Sequence, residues 1–330
     1  MSANHTGLTR ASLARALLRD CAAPLQAVAR AAGFSSAVAM RSELGADAVA
    51  PGVRRGAELE LTLPLGRGVD SGWLLDFLQR RSLPGLEEVT DGGYRRLLGA
   101  HWLSVRPRGA RLRISLPVAA AGEFADAVAR VHHVFDLDAN CRRIDAALAQ
   151  DDWLAAELSY GGGVRVPGAF DGFETAVRAI LGQQVSVARA RNLAIALIER
   201  FGAPGRFPQP TQLADADVSA IGMPGKRGEA VRALARAALE GAVTLSPGVD
   251  SDALSDGLCA LPGIGPWTAG YVSMRVAGDA NAFPRGDWVV LKVLDMTAAK
   301  AEARSQAWAP WRAYALMYIW RRAGRERESK

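Results

Sequence analysis

Two short stretches, "LPGIGPWTAGY" at residues 261–271 and "FPRGDW" at 283–288, gather residue types that can do chemistry. In the first, a helix end runs into a tight turn and a new helix begins near Pro266, a residue suited to a first helical turn. Gly263 and Gly265 take side chains away where something must approach the backbone. The amides that open the second helix are unpaired donors with a positive dipole behind them, so the turn is able to grip a phosphate. For a lone Gly-x-Gly, an ordinary helix-helix connection with glycine for packing is the better reading. In the second stretch Asp287 precedes "WVVLKVL" and reads locally as a helix N-cap. Tryptophans crowd the same region: Trp267, Trp288, Trp308, Trp311 and Trp320. For Trp308 and Trp311 core packing is the better reading, and for Trp320 it is an open alternative.

The elements that must position these residues change character along the chain. Residues 8–20, "LTRASLARALLRD", put Leu8, Ser12, Ala16 and Leu17 on one helical face, and "APLQAVARAAGFSS" gives a short helix from Leu25 to Ala32 stopped by Gly33. From "ELELTLPL" (58–65) the period becomes two, which marks a half-buried strand. A helix, "GWLLDFLQRRSL", follows, then two strand-like runs, "HWLSVRPRG" and "ARLRISLPV", and then a helical "EFADAVARVHHVFDL". This order predicts a small antiparallel α+β domain over residues 58–137. Beyond it no strand pattern survives. "FDGFETAVRAILGQQVSVARARNLAIALIERFG" carries long helical periodicity, "PTQLADADVSAI" starts another helix, and "KRGEAVRALARAALEG" is closed by Gly241. The fold class expected is mainly α with an α+β N-terminal domain.

Composition narrows the function classes. The 330 residues are 49% hydrophobic, and no apolar run reaches the length of a signal peptide core or a membrane span, so a soluble intracellular, cytoplasmic protein is expected. Cys21, Cys141 and Cys259 lie far apart, which points to no disulfide framework, zinc ribbon or iron-sulfur cluster. His132 and His133 are adjacent and without a third ligand, so they read as structural. A net charge of +6, with 40 basic and 34 acidic residues, permits a polyanionic partner without naming one.

Taken together, "PGAFDGFETAVRAILGQQVS", "IGMPGKRGEAV", the hairpin, "FPRGDW" and "WAPWRAYALMYIW" resemble, in family order from about residue 58 to 322, the helix-hairpin-helix DNA glycosylases. The particular resemblance is to the DNA-3-methyladenine glycosylase II family, which excises alkylated bases. It implies double-stranded DNA as partner, base flipping, which costs a few kcal/mol, and a monomer at the nucleoid with no required cofactor. Asp287 matches the family's catalytic carboxylate. Alkylation at a ring nitrogen leaves the base cationic, so its departure needs no protonation and one carboxylate suffices where ordinary glycosidases use two. At ~4 Å and an effective dielectric of about 20, it offers roughly 4 kcal/mol to the positive charge growing on the sugar, close to a thousandfold in rate. Phe77, Trp267, Tyr271, Trp288 and Trp320 match base-pocket aromatics, whose faces attract a cation by ~0.5–2 kcal/mol each.

Trp267 stands where bifunctional relatives place a Schiff-base lysine, which implies hydrolysis without strand cleavage. Gly263 and Gly265 are expected to meet DNA phosphates. The carbonyls of Cys259, Leu261 and Ile264 would hold K+ or Na+ at the hairpin. The family's wedge position falls in "ILGQQVS", where Gln183 and Gln184 replace an apolar plug by a polar one, and "PRGD" offers Asp287 no neighbouring carboxylate. "PLQAVARAAGFSS" resembles the second helix-turn-helix of AraC-type regulators, with "APGVRRG" like its usual ending, so residues 1–57 read as a truncated half of such a module. A small helical appendage with no base-reading role is an equal reading of that segment. A non-enzymatic DNA-binding regulator or damage-binding protein on a glycosylase scaffold is the alternative for the whole chain.

Overall fold

Alternation of apolar and solvated residues produces a five-stranded antiparallel sheet, and the computed structural model, which describes residues 8–45 and 55–328, places most of its inner leucines at the centre of a core. Three short helices come first: α1 (Arg10–Asp20), capped by the Thr9 hydroxyl, α2 (Leu25–Ala31), and α3 (Ala37–Leu44), capped by Ser36. Strand β1 (Glu58–Pro64) leads to α4 (Ser71–Gln79), then come β2 (Glu87–Thr90), β3 (Gly93–Leu98), β4 (His101–Arg108), β5 (Arg111–Pro117) and α5 (Phe124–Val134). The strand order is β1-β5-β4-β3-β2. β2 and β3 are additional to the sequence expectation. Their paired segments carry Glu87, Glu88, Arg95 and Arg96 about an Asp91-Gly92 turn with both residues at positive φ, so charge obscures the alternation.

The first three helices do not form a separate body. Leu13, Leu17, Val28, Phe34 and Met40 enter the same core as Leu59, Leu61, Ile114 and Leu116. Asp20 accepts the Thr62 amide at 3.0 Å, which gives the edge strand β1 a partner and blunts an otherwise open edge. Residues 50–54 of the "APGVRRG" stretch lie outside the described residues.

The rest is helical: α6 (Cys141–Leu148), α7 (Asp152–Leu158), α8 (Gly172–Leu181), α9 (Val187–Phe201), α10 (Pro210–Leu213), α11 (Gly225–Leu239), α12 (Ser251–Cys259), α13 (Pro266–Val272), α14 (Trp288–Leu294), α15 (Ala298–Ser305) and α16 (Arg312–Glu328). The long helical stretch expected over 170–202 is two helices. Asp171 caps α8 and Ser186 caps α9, so the chain restarts across Gly182–Ser186, where Gln184 takes φ 55°. α10 stops after one turn, short of the helix expected there. No helix among the described residues is long and apolar enough to cross a membrane.

Buried ions join the sheet to the helices. Arg96 on β3 meets Glu174 on α8 at 2.5 Å, Arg178 reaches Glu87 and Glu174 at 2.8 Å each, and Tyr94 donates to Glu87 at 2.9 Å. Burial would raise the Glu174 carboxyl, but Arg96 and Arg178 outweigh it and hold it down at about 2. Arg165 donates to the Leu65 carbonyl at 2.6 Å and to Phe135 at 2.9 Å, which staples β1 and α5 to the helical half.

Asp136 behaves in the opposite sense. Burial pushes its carboxyl up to about 6, against the opposing pull of the Tyr314 hydroxyl (2.7 Å) and Arg165. A folded pKa raised above the unfolded value contributes stability that is full at low pH and lost as pH rises through about 6. A two-unit shift is worth about 3 kcal/mol. Asp136→Asn, which copies the protonated form, is expected to be more stable than wild type at pH 7 and to flatten the pH 4–7 slope of urea-unfolding free energy. An unchanged slope would exclude Asp136 as its source.

Candidate active site

The hairpin folds as its residues dictate, with the Leu261 amide bonded to the Leu258 carbonyl at 3.0 Å and the Ile264 amide to Leu261 at 3.2 Å. The two glycines serve different ends. Gly263 takes φ 77°, and a Cβ there would lie 3.0 Å from Ala230 and 3.3 Å from the Lys226 carbonyl on α11. Gly265, the N-cap of α13, would meet nothing within 4 Å and faces open space.

Gln183 and Gln184, adjacent in sequence, part company. The Gln183 amide donates to the Gly263 carbonyl at 3.0 Å and the Thr268 hydroxyl at 2.9 Å, while its own carbonyl accepts from Arg227 at 2.8 Å. It is a strut between the 182–186 turn and the hairpin, which removes it as a free wedge. Gln184 is exposed beside it.

Asp287 caps α14, as its local sequence predicts, with Oδ1 accepting the Val290 amide at 3.0 Å. The same carboxylate receives two indoles: Trp320 Nε1 donates to Oδ1 at 3.1 Å and Trp267 Nε1 to Oδ2 at 3.0 Å. Three N–H donors from three elements therefore fix its plane, and the residue is only 5% exposed. A carboxylate has about four acceptor positions, so one is left to face the cleft.

The aromatics form a continuous wall. Trp267 stacks on Tyr271 at 5.5 Å, Tyr271 lies 6.2 Å from Trp320, and Trp320 stacks on Phe77 of α4 at 6.4 Å. Trp288 lines the same cleft but is 63% exposed, with Lys292 Nζ 5.0 Å over its ring, so it stands at the mouth. Trp308 is buried and donates to Asp151 at 3.0 Å, the core role its position implied. Asp287, Phe77, Trp267, Tyr271, Trp288 and Trp320 line a cleft of about 1710 Å³, beyond the ~300–1,000 Å³ of a small-ligand pocket and roomy enough for a base with the strand that carries it.

Three arginines that the sequence reading passed over line the same cleft. Arg81 stands 3.6 Å over the Phe77 ring, Arg275 stands 5.0 Å over Phe77 and donates to the Tyr271 hydroxyl at 2.6 Å, and Arg178 is the third. Burial pushes Arg81 down to about 10, so it keeps its charge at neutral pH. Burial alone would raise the Tyr271 hydroxyl, but Arg275, Arg81 and Arg178 outweigh it and hold it below its usual range. Arg275 also bonds the Gly168 carbonyl at 3.0 Å, and its own carbonyl accepts His133 Nε2 at 2.9 Å, which makes His133 structural. A signal was present for part of this cluster: Glu174 and Arg178 stand four apart in the otherwise apolar "FETAVRAIL", a spacing that pairs them.

Residues 60–171 match the AlkA N-terminal domain family. The chain is 36% identical to DNA-3-methyladenine glycosylase 2 of Escherichia coli, over 76% of this chain and 93% of that protein. The chain belongs to the DNA-3-methyladenine glycosylase II family. It is also 32% identical, over 94% of its length and 69% of the relative's, to the probable bifunctional transcriptional activator/DNA repair enzyme AlkA of Mycobacterium tuberculosis. The fold is that of the 3-methyladenine DNA-glycosylase from Archaeoglobus fulgidus, with a TM-score of 0.66, 21% identity, and coverage of 78% of this chain and 96% of that one.

Because both Asp287 oxygens accept N–H donors, Asp287→Asn must turn its own NH2 toward one of them. It is expected to fold but to lose about 1–3 kcal/mol, the cost of an unmade buried hydrogen bond. A lower urea midpoint at unchanged m-value checks this, and an unchanged midpoint would show that the indoles do not hold the carboxylate.

Proposed function

We propose that the chain is a monofunctional DNA glycosylase that flips alkylated purines of the 3-methyladenine and 7-methylguanine type out of double-stranded DNA and hydrolyses the N-glycosidic bond, leaving an abasic site. The observation that carries this reading is Asp287: a buried carboxylate, oriented by two indole N–H groups and set against an aromatic wall. As the bond breaks, positive charge grows on the deoxyribose, and this fixed carboxylate stabilises it without reorganising. The absence of a lysine at position 267 supports hydrolysis without a Schiff base. The base rests along Trp267, Tyr271, Trp320 and Phe77, with Trp288 at the entrance. Gln184 fills the vacated stack, braced through Gln183, and the amides about Gly263 and Gly265 meet the phosphates. One molecule suffices for one lesion, so the working unit is a monomer, acting at the bacterial nucleoid.

The carbonyls of Cys259, Leu261 and Ile264 are assigned to a monovalent cation, K+ or Na+, when DNA is bound. That of Leu261 already accepts the Ile264 amide at 3.2 Å, which leaves it one lone pair for an ion and makes the set compatible with one. The ion would supply positive charge at the hairpin for a DNA phosphate; it takes no part in bond cleavage.

Release of free methylated bases from methylated duplex DNA tests the reading. Wild type is expected to release them and to produce abasic sites without strand breaks until alkali is added. Folded Asp287→Asn is expected to be slower by about a thousandfold, the equivalent of roughly 4 kcal/mol. Equal release by the two proteins would remove Asp287 from the chemistry.

Arg81 sharpens the expectation for substrate choice. Its charge opposes a cationic base both bound and in transit, whereas it favours a neutral lesion such as hypoxanthine, which must leave with negative charge. One unit charge at ~10 Å and an effective dielectric of about 20 is worth roughly 1.5 kcal/mol. Arg81→Met is therefore expected to move the ratio of kcat/KM values about tenfold toward 7-methylguanine and away from hypoxanthine. A parallel change in both would make Arg81 merely structural.

A further inference from the structure

Away from the cleft, the β4–β5 hairpin carries a concentration of arginine that the proposed chemistry does not use. In the register of the two strands Arg106 faces Arg113 and Arg108 faces Arg111, across a turn that includes Gly109 at φ 58°. Alternation puts all four on the solvent side, opposite the buried Leu103, Val105, Leu112 and Ile114. The backbone of the turn adds a fifth: Ala110 accepts the Leu65 and Gly66 amides at 2.9 and 3.3 Å, which brings exposed Arg67 to the same end of the sheet. Arg113 pairs with Glu60, but Arg67, Arg106, Arg108 and Arg111 make no ion pair or side-chain hydrogen bond among the described residues.

Like charges directly opposite on a sheet destabilise it by ~0.2–1 kcal/mol per pair. Glu60 offsets part of this cost at the Arg106–Arg113 pair, while the Arg108–Arg111 pair has no carboxylate partner among the described residues. Gly93 accommodates one of them, since a Cβ there would lie 2.7 Å from Arg106 Cγ, and its absence lets that side chain lie across the neighbouring strand. Guanidiniums are well suited to phosphate oxygens, which they bind through paired N–H donors.

We propose that this arginine face is a second DNA-contact surface, which binds the phosphate backbone of undamaged duplex outside the cleft without reading sequence. Charge complementarity names the occupant: four unpaired guanidiniums on a chain of net charge +6, whose proposed substrate is itself a polyanionic duplex. The face is distinct from the base site, because the inner side of the same sheet supplies Glu87 and Tyr94 to the cleft while the arginines occupy the outer side. The choice of DNA rests on the glycosylase reading; the surface itself does not.

The test compares wild type with the triple variant Arg106→Ser, Arg108→Ser, Arg111→Ser on an undamaged 30-base-pair duplex, by fluorescence anisotropy across a salt series. Each phosphate contact contributes about −0.9 to the slope of log K against log salt, so the triple variant is expected to lose between two and three units of slope. At low salt its affinity should fall at least tenfold. Single-turnover release of 7-methylguanine from a short duplex at saturating enzyme should not change. The matching triple lysine variant keeps the charge and is expected to recover the slope, which separates lost charge from altered folding. An unchanged slope and affinity in the serine variant would overturn the proposal. Failure of wild type to release any base would instead overturn the glycosylase reading, while the salt series would still decide whether this face binds DNA.

Discussion

Much of this molecule depends on where one carboxylate is allowed to point. Asp287 caps α14, and a cap alone would fix its position but leave its outer oxygen free to rotate. The indoles of Trp267 and Trp320 remove that freedom, one on each oxygen. Trp267 belongs to the second helix of the hairpin and Trp320 to the C-terminal helix, so three separate segments must be in register before the carboxylate has its orientation. The same two rings are members of the stacked wall. The hydrogen bonds that aim the acid therefore also set the planes against which a base would lie.

That register is maintained from below by ions rather than by apolar contact alone. Arg96, Glu174, Arg178, Glu87 and Tyr94 form a closed network between sheet and helix α8 at the floor of the cleft. A network of this kind is seldom the most stabilising filling for a core, since desolvation consumes much of the attraction. It does resist sliding, because every displaced partner leaves a buried charge exposed to low dielectric. Phe77 reaches the wall from α4 only while the sheet domain stays seated on α8, and the network is what seats it.

The sequence made legible those features that depend on local pattern. Leucine alternation located β1, a Gly-x-Gly before Pro266 located the hairpin, and Asp287 could be recognised as a cap from its neighbours. What it concealed depends on pairing at a distance. β2 and β3 put Glu87 and Arg96 inward, where only the partner charges on α8 make burial tolerable, so no hydrophobic period marked them. The break at Gly182–Ser186 was hidden by apolar residues that continue on either side, and the cap at Ser186 became evident only with the chain's turn. The role of Gln183 required knowledge of the hairpin eighty residues onward. Trp288 lines the cleft as its type suggested, but residue type says nothing about how far the ring stands out at the mouth.

Charge of both signs meets the wall. Asp287 touches Trp267 and Trp320, while Arg81 stands over Phe77 and Arg275 touches Phe77 and Tyr271. In the proposed reaction the sugar gains positive charge and the base gains electrons, whether the base begins cationic and ends neutral or begins neutral and ends anionic. The carboxylate stabilises the first change and the guanidiniums the second. Fixed groups of both signs thus favour bond cleavage for either class of base. They differ in binding, because only a cationic base must first be brought against like charge. Aromatic faces alone would select the cation; arginines set behind them offset that preference, and the balance is made within a few ångströms of Phe77.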